Sequence, residues 1–515
     1  MTTRRAAVVG SGPNGLTAAC VLARAGWEVT VYETAEAPGG ALRSAELLGE
    51  GVISDLGASV HPFGVGSPAF EGLRLADRGL HWAHPEIPVA HTLDGDSPAL
   101  LHSSLEQTAA ELGVDGAAWR GMIGSVAEHW EQVRRAAMAP PLQTLRHLGP
   151  DSPLTRVAAL ARLGIRGAWP ADVAARVFRT GRARALFAGL AAHSTVPFSH
   201  PMTSAFGVLF GAAGHATGWP VARGGSQSIV DALVAELESQ GGRIETDFEV
   251  TSVRSVQKGR TAHAGARPVH RISGRRHSRA AVAEEPADVV LADLTPAQLL
   301  RLDGLELPSG YQRALRRWTY GPGIVKIDYH IDGPIPWTHP ETSRAGTVHL
   351  GGSHAQISAS EAAAARGVLP GRPYVLLAQP SAADDTRAPA GQTVAWAYAH
   401  VPHGLDAQAS QRAAALIEAE ITANAPAFRD AVLARKVWTP QDLQGFDANL
   451  VGGAVSGGAP TLSQLIARPA PSLQAYSTGS EGIWLCSSST PPGGGAHGMN
   501  GYNAAQAVLR EHGDP

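Results

Sequence analysis

The sequence predicts an α/β fold in which one domain is assembled from separated pieces of chain around a large insertion. Three blocks predict it. An apolar run at Ala6–Val9 enters a glycine-rich turn, a helix and strand return at residues 226–256, and a strand, a glycine-rich loop and a helix close the chain. Each block joins a glycine-bearing turn to a helix and a strand, the grammar of a sheet with crossover helices.

In the first block, Gly10-Ser11-Gly12-Pro13-Asn14-Gly15 is followed by LTAACVLARAG at helical period and then by the strand EVTVYE. Gly10 permits the tight turn, Gly12 lets backbone approach a pyrophosphate, and Gly15 allows close helix packing, with the helix N-terminus facing the phosphates. Glu33 lies 23 positions after Gly10, at the end of the second strand, where it is placed to accept hydrogen bonds from ribose hydroxyls. Pro38-Gly39-Gly40 follows, and Arg43 brings a cation towards a diphosphate or a ribityl chain.

The second block, WPVARGGSQS, leads into a helix whose Ile229, Leu233 and Leu237 share a face, with Ser226 or Ser228 as cap and Gly241 at its end. Its return after a long interval predicts a discontinuous domain. The third block runs from the apolar GIWLC into SSSTPPGGGAHGMNG and the helix YNAAQAVLREH. A loop leading into a helix N-terminus offers backbone N–H groups to a developing anion.

Length and composition bound the function. The chain has 515 residues, with 42 Lys+Arg against 45 Asp+Glu, a formal charge of −3. At about 100–200 residues per domain it holds several structural units and a core able to enclose a ligand. The balance of charge argues against a nucleic-acid or membrane-surface binder working by bulk charge. Hydrophobic residues make up 44% and charged residues 17%, which marks a globular chain with extensive interior. Cys20 and Cys486 stand far apart in elements that read as buried; they form no disulfide framework, redox pair or zinc knuckle, and no metal site is expected. The opening MTTRRAAVVGSG shows no signal-peptide h-region, so a cytoplasmic protein is expected.

The longest stretch without Asp, Glu, Lys or Arg is Ala185–Ala222. At about 20 residues per span it is long enough for a bilayer, but Pro197, Pro201, Pro220, several glycines and three histidines interrupt it. It is expected to be an irregular apolar cavity wall rather than a simple buried helix, with peripheral contact to lipid left open. Phe206 and Leu209, three positions apart, would share a face if it turned helically and are the expected substrate contacts. Trp318, Tyr320, Tyr329, Trp337, Trp396 and Tyr398 can complete such walls. Lys258–Ala281 carries seven basic residues and no acid or aromatic, a solvated loop rather than a nucleic-acid groove.

The blocks GSGPNG…PGGALRS, WPVARGGSQSIVDAL and SSSTPPGGGAHGMNGYNAA resemble the phytoene-desaturase-like FAD-dependent oxidoreductases, especially the branch called pyridine nucleotide-disulphide oxidoreductase domain-containing proteins. ADVVLADLTPAQLL, YGPGIVKIDYHIDGPIPW, VLLAQPSAADDTRAPAG and TPQDLQGFDANLVGG fit the same pattern, so the resemblance spans nearly the whole chain. The "disulphide" of that name has no paired cysteines behind it here. The resemblance implies the amine oxidase/phytoene desaturase architecture, with a Rossmann-like FAD-binding domain from residues 1–75, 222–300 and 470–515. Residues 76–221 and 301–469 then form the inserted α+β substrate domain.

It further implies FAD as cofactor, held by Gly10, Gly12, Pro13, Asn14, Gly15, Glu33, Gly39, Gly40, Arg43, Ser59, Val250, Gly498, Met499 and Asn500. His497 and His61 are the best-placed acid or base candidates; His193, His200, His215, His400 and His403 rank below them. The implied reaction is hydride transfer from an apolar or natural-product-like carbon skeleton to flavin N5. Gly211–Gly218 has the wrong spacing and no preceding strand for a second nucleotide site, so oxygen, a quinone or another carrier is the expected electron acceptor. Alternatives are an amine oxidase or an isomerase on the same fold. A non-catalytic escort protein is disfavoured by the intact turn, Glu33 and the C-terminal loop.

Overall fold

The glycine-rich turn sits at the carboxyl end of the central strand of a five-stranded parallel sheet. Across the sheet the strands are Ile483–Leu485, Val289–Ala292, Arg5–Val9, Glu28–Tyr32 and Arg243–Glu245. The computed structural model describes residues 4–140, 152–256, 268–276 and 284–512.

Arg5–Val9 reads RAAVV, apolar on both sides because both faces of a parallel sheet are covered. Val8, Val29, Val31 and Leu291 pack against the helices Pro13–Arg24, Gln227–Ser239 and Met499–His512 through Leu16, Leu233 and Val508. Ala7, Val9, Val290 and Ile483 face the other way, onto a three-stranded antiparallel sheet through Phe248, Val250, Val253 and Ile272.

That second sheet corrects one expectation. Val269–Arg276, from the middle of the basic segment expected to be a loop, is a strand paired on one side with Phe248–Val256 and on the other with Glu284–Ala287. His270, Ile272 and Gly274 are buried and alternate with the exposed Arg271 and Arg275, so the strand turns one face to the core and these arginines outward, and Arg275 meets Glu249 at 2.7 Å. The flanking basic residues Lys258, Arg260, Arg267 and Arg279 lie outside the described residues.

A seven-stranded sheet runs in the order Val432–Trp438, Gly323–Asp332, Gln392–Val401, Val375–Ala378, Ala345–Leu350, Ile87–Leu93 and Asp96–Leu101. Its neighbours are antiparallel except Ala345–Leu350 and Ile87–Leu93. The two-residue period of a strand divides the sheet. Val325, Ile327, Tyr329, Val348, Leu377, Ala397 and Ala399 form an apolar face packed on Ile417 and Ile421 of the helix Ala407–Asn424. The alternate residues form a second face with a different chemistry. Register places Lys326 opposite Tyr398, Asp328 opposite Trp396, and His91 opposite His349.

The helices Gly181–Ala191 and Thr203–Ala216 lie on this second face side, among a cluster containing Val89, Leu101, Leu376 and Trp396. The uncharged stretch is therefore mostly two buried helices, not an irregular wall. Pro197, Pro201 and Pro220 fall in its connections, and its glycines are packing notches. A Cβ on Gly207 would lie 2.7 Å from Phe187, and one on Gly214 2.6 Å from Leu101.

Candidate functional site

Gly10 has φ +97 and donates its amide to Tyr32 O, the tight turn the sequence requires. Gly12 is the N-cap of Pro13–Arg24, with no side-chain cap and no acid in the first turn. Glu33, buried at the strand end, accepts from the Ser11 amide (2.9 Å), Ser11 Oγ (2.6 Å) and the Ala35 amide (2.8 Å). These three donors fix its carboxylate beside the turn. Val250 lies on the adjacent strand, where the Phe248 amide donates to Glu33 O.

Gly39 and Gly40 pass directly over the turn: a Cβ on Gly40 would lie 3.2 Å from Gly12 Cα. Arg43 does not project freely. Its guanidinium stacks 4.1 Å over the Phe446 ring and donates to Phe446 O. The next residue, Asp447, and the buried Asp293 bring two carboxyls to the turn that sequence reasoning missed. Asp293 Oδ2 accepts the Gly15 amide at 2.9 Å, and Asn449 Nδ2 donates to Asp293 O at 2.9 Å. Burial, with the charges of Asp447 and Glu33, pushes Asp293 up to about 7, although the Gly15 amide opposes this. Burial and Glu33 also push Asp447 up against the pull of Arg43. The signal was present: Asp293 ends the apolar strand VVLA just as Glu33 ends VTVY.

The C-terminal loop meets this turn from the other side. A Cβ on Gly501 would fall 1.8 Å from Asn14 O, so the N-termini of Pro13–Arg24 and Met499–His512 touch. Asn500 is fully buried and Nδ2 donates to Thr490 O (2.7 Å) and Pro491 O (3.2 Å), stapling the loop. Gly498 has φ +67 and abuts Thr17, and Met499 is buried beside it. His497 Nδ1 accepts the Met499 amide at 3.1 Å, which leaves it capping this helix; burial pushes it down to about 4.

A buried ion network joins the segment after Arg43 to the start of the helix Gln227–Ser239. Asp55 accepts from Arg387 Nη1 (2.9 Å), Ser44 Oγ (2.7 Å), the Ser226 amide (2.8 Å) and Ser59 Oγ. Burial would raise this carboxyl, but Arg387 and the three serines outweigh it and hold Asp55 at about 2. Ser59 thus spends its hydroxyl on Asp55. Ser226, expected as a helix cap, makes no cap hydrogen bond; its Oγ donates to Ala58 O (2.7 Å), and His61 Nε2 lies 2.8 Å from it. Since that hydroxyl hydrogen is used, His61 Nε2 carries the donated hydrogen and Nδ1 is a bare, unpartnered acceptor. Burial pushes His61 down to about 4.

A family description of flavin containing amine oxidoreductases matches residues 14–509. The chain belongs to the flavin-containing amine oxidoreductase family. It is 26% identical over 570 aligned positions to pyridine nucleotide-disulfide oxidoreductase domain-containing protein 2 of Rattus norvegicus, covering 98% of this chain and 93% of that one. An uncharacterized protein of Mycobacterium tuberculosis is also 26% identical, over 98% and 96% of the two chains. Among solved structures, an oxidoreductase from Methanosarcina mazei superposes with TM-score 0.60 at 15% identity, over 98% and 100% of the chains. Putrescine oxidase bound to putrescine gives TM-score 0.60 at 15% identity, over 99% of each.

FAD is the cofactor of this flavoprotein. The residues present fit it: a turn kept open by Gly12 and Gly40, a fixed acid at the strand end, and two helix N-termini whose positive ends meet at one place. When bound, FAD supplies the hydride acceptor.

The second face of the seven-stranded sheet lies against the same network. Lys326 Nζ donates to Asp55 O (3.0 Å) and to both oxygens of Asp328 (2.6 Å), while Trp438 Nε1 donates to Asp328 Oδ2 (2.7 Å). Burial pushes Asp328 up against the pull of Lys326. Trp396 and Tyr398 stack at 5.6 Å, and His400 Nδ1 pairs with Glu361 Oε2 at 2.8 Å. Of the aromatics named from sequence, Trp396 and Tyr398 belong to this face. Tyr329 and Trp337 are in the opposite core, Trp318 donates to Gly457 O, and Tyr320 receives the Ala297 amide. Phe206 and Leu209 are both half-buried on Thr203–Ala216, and Leu209 packs on the helix cluster. The neighbouring ring, Phe210, lies 4.9 Å from Phe63 and stacks on His193 at 4.2 Å.

Proposed function

We propose that the protein is an FAD-dependent dehydrogenase or desaturase that removes hydrogen from an apolar or natural-product-like carbon skeleton, passing hydride to flavin N5. The observation that carries this reading is the state of the carboxylates on the second sheet face. Asp328 is paired with Lys326, and Asp55 beside it is paired with Arg387. The face thus offers rings and polar groups, and the carboxylates of Asp328 and Asp55 each already hold a cation. A substrate ammonium would lose its hydration there without gaining a counter-ion.

His61, with its unpartnered Nδ1, is the better placed of the two histidines to take a proton, and Phe206 and Leu209 are the apolar contacts on the helix side. Electrons pass on to oxygen, a quinone or another carrier. A peripheral lipid contact is supported by Leu154, Ile165, Trp169 and Val177, exposed apolar side chains on and just after the helix Pro153–Gly167.

The test is anaerobic bleaching of the bound flavin with a panel of saturated and unsaturated carbon skeletons beside putrescine. Bleaching by an apolar skeleton, abolished in Phe206→Asp with Leu209→Asp while FAD stays bound, is the expected result. Bleaching by putrescine alone would replace this reading with amine oxidation, and product rearrangement without lasting bleaching would indicate an isomerase.

A further inference from the structure

Three histidines that the preceding site does not use, His91, His193 and His349, converge behind Phe210. His193 stacks on Phe210 at 4.2 Å, lies edge-on to Trp219 at 5.9 Å, and its Nε2 is 3.3 Å from His349 Nε2. His91 and His349 are fully buried, and the Nδ1 of each has no partner. Both Nδ1 atoms face the bare Cα of Gly189: a Cβ there would lie 2.5 Å from His349 Nδ1 and 2.8 Å from His91 Nδ1.

These contacts fix where the hydrogens are. His91 Nε2 lies 2.8 Å from Gly352 O, and a carbonyl only accepts, so Nε2 carries the hydrogen and Nδ1 is a bare lone pair. For His349 the two choices are unequal. A hydrogen on Nδ1 would be a fully buried donor without an acceptor, a costly arrangement that folded proteins avoid more strictly than an unused lone pair. The hydrogen therefore sits on His349 Nε2 and is donated to His193 Nε2. His193 must accept there, which puts its own hydrogen on Nδ1.

That Nδ1 has no partner among the described residues, and His193, stacked on Phe210, is only half-buried. Burial, with the charge of His400, pushes His193 down to about 3, so the donor is neutral at physiological pH. A neutral N–H held in place by stacking and by a buried neighbour calls for an acceptor. An ammonium has only donors to bring.

We propose that His193 Nδ1–H receives a carbonyl oxygen of the substrate, whose remaining body is apolar, and that His349 is the positioning residue that fixes the donor. This rests on the reading of the second sheet face as the substrate side. It narrows the substrate class to carbon skeletons carrying a ketone, ester or acyl oxygen near the carbons that lose hydrogen.

The FAD-loaded protein is titrated with cyclohexyl methyl ketone and with cyclohexylmethylamine, followed by the perturbation of flavin absorbance. The ketone is expected to bind at least about tenfold more tightly than the amine. His193→Phe, which keeps the stack on Phe210, is expected to weaken the ketone about tenfold and leave the amine and FAD content unchanged. His349→Gln, which can still donate to His193, keeps ketone affinity, and His349→Met loses it. Nitrogen shifts of histidine-labelled protein give a readout free of any ligand, with His193 expected as the Nδ1–H tautomer. Amine binding equal to or tighter than ketone binding, no ketone binding, an unchanged ketone affinity in His193→Phe, or an Nε2–H tautomer at His193 would each overturn the proposal. A yellow protein that ignores the ketone refutes the role of His193 alone; a colourless one refutes the flavin-enzyme reading beneath it.

Discussion

Asp293→Asn isolates the least expected group at the nucleotide turn. Asp293 is buried and held at about 7 against an ordinary 3.8, so between these values the folded state keeps a proton that the unfolded chain has released. For a raised acid the sign is negative: stability falls as pH rises through that window and is lowest above it. At about 1.36 kcal/mol per pKa unit, the penalty grows on the order of 3 kcal/mol between pH 5 and pH 8. Asparagine retains an oxygen for the Gly15 amide and does not titrate. The histidines that burial holds down, such as His61, His91 and His497 at about 4, shift stability the opposite way between 4 and 6.5, but both proteins carry them and they cancel in the difference. Urea unfolding of the FAD-saturated pair at pH 5 and pH 8 measures that difference. The variant should gain on the wild type by about 3 kcal/mol over the interval. Parallel pH profiles would refute the assignment of a protonated carboxyl to this turn.

The other predictions concern cofactor, core and surface. Gly12→Val should abolish FAD retention, because even a Cβ at this position lies 2.7 Å from Asp293 Oδ2; the bound-flavin spectrum reports it. Glu33→Ala should weaken FAD binding roughly tenfold to a hundredfold, as loss of a charge-assisted hydrogen bond does, measured by fluorescence titration of apoprotein. Arg387→Met leaves Asp55 buried and unpaired and should cost about 3–5 kcal/mol of unfolding free energy, seen as a lowered denaturation midpoint. Trp169→Asp with Ile165→Asp, at the exposed apolar side chains of the proposed lipid contact, should reduce co-flotation with anionic vesicles; unchanged flotation removes that contact.

The nucleotide turn was legible because its chemistry is local. Gly10, Gly12, Gly15 and Glu33 are tied by short-range geometry, and the strand-turn-helix pattern around them admits one reading. The ion network was not legible, because Asp55, Ser226 and Arg387 meet only after distant segments fold together, and nothing in SDLGAS or DDTRAP announces a partner. Arg43 looked like a phosphate ligand by spacing, yet its guanidinium is engaged by Phe446, about four hundred residues away in sequence. The uncharged stretch misled for a physical reason. Glycine lowers helix propensity in isolation, but within Thr203–Ala216 the missing side chains admit Phe187, Ile123 and Leu101, and packing overrides propensity.

The division of the seven-stranded sheet has a consequence for how this protein can change. Along Gly323–Asp332 and Gln392–Val401, every second side chain is bound by the volume it must fill against Ile417 and Ile421. The intervening ones carry the polar and aromatic groups, Lys326, Asp328, Trp396, Tyr398 and His400. Shape and chemistry are thus written on interleaved positions of the same strands. Substitution at Trp396 or Tyr398 changes the chemistry of one face and its packing on the helices there while leaving the opposite core in place, whereas an insertion of a single residue in either strand would exchange the two scripts and forfeit both at once.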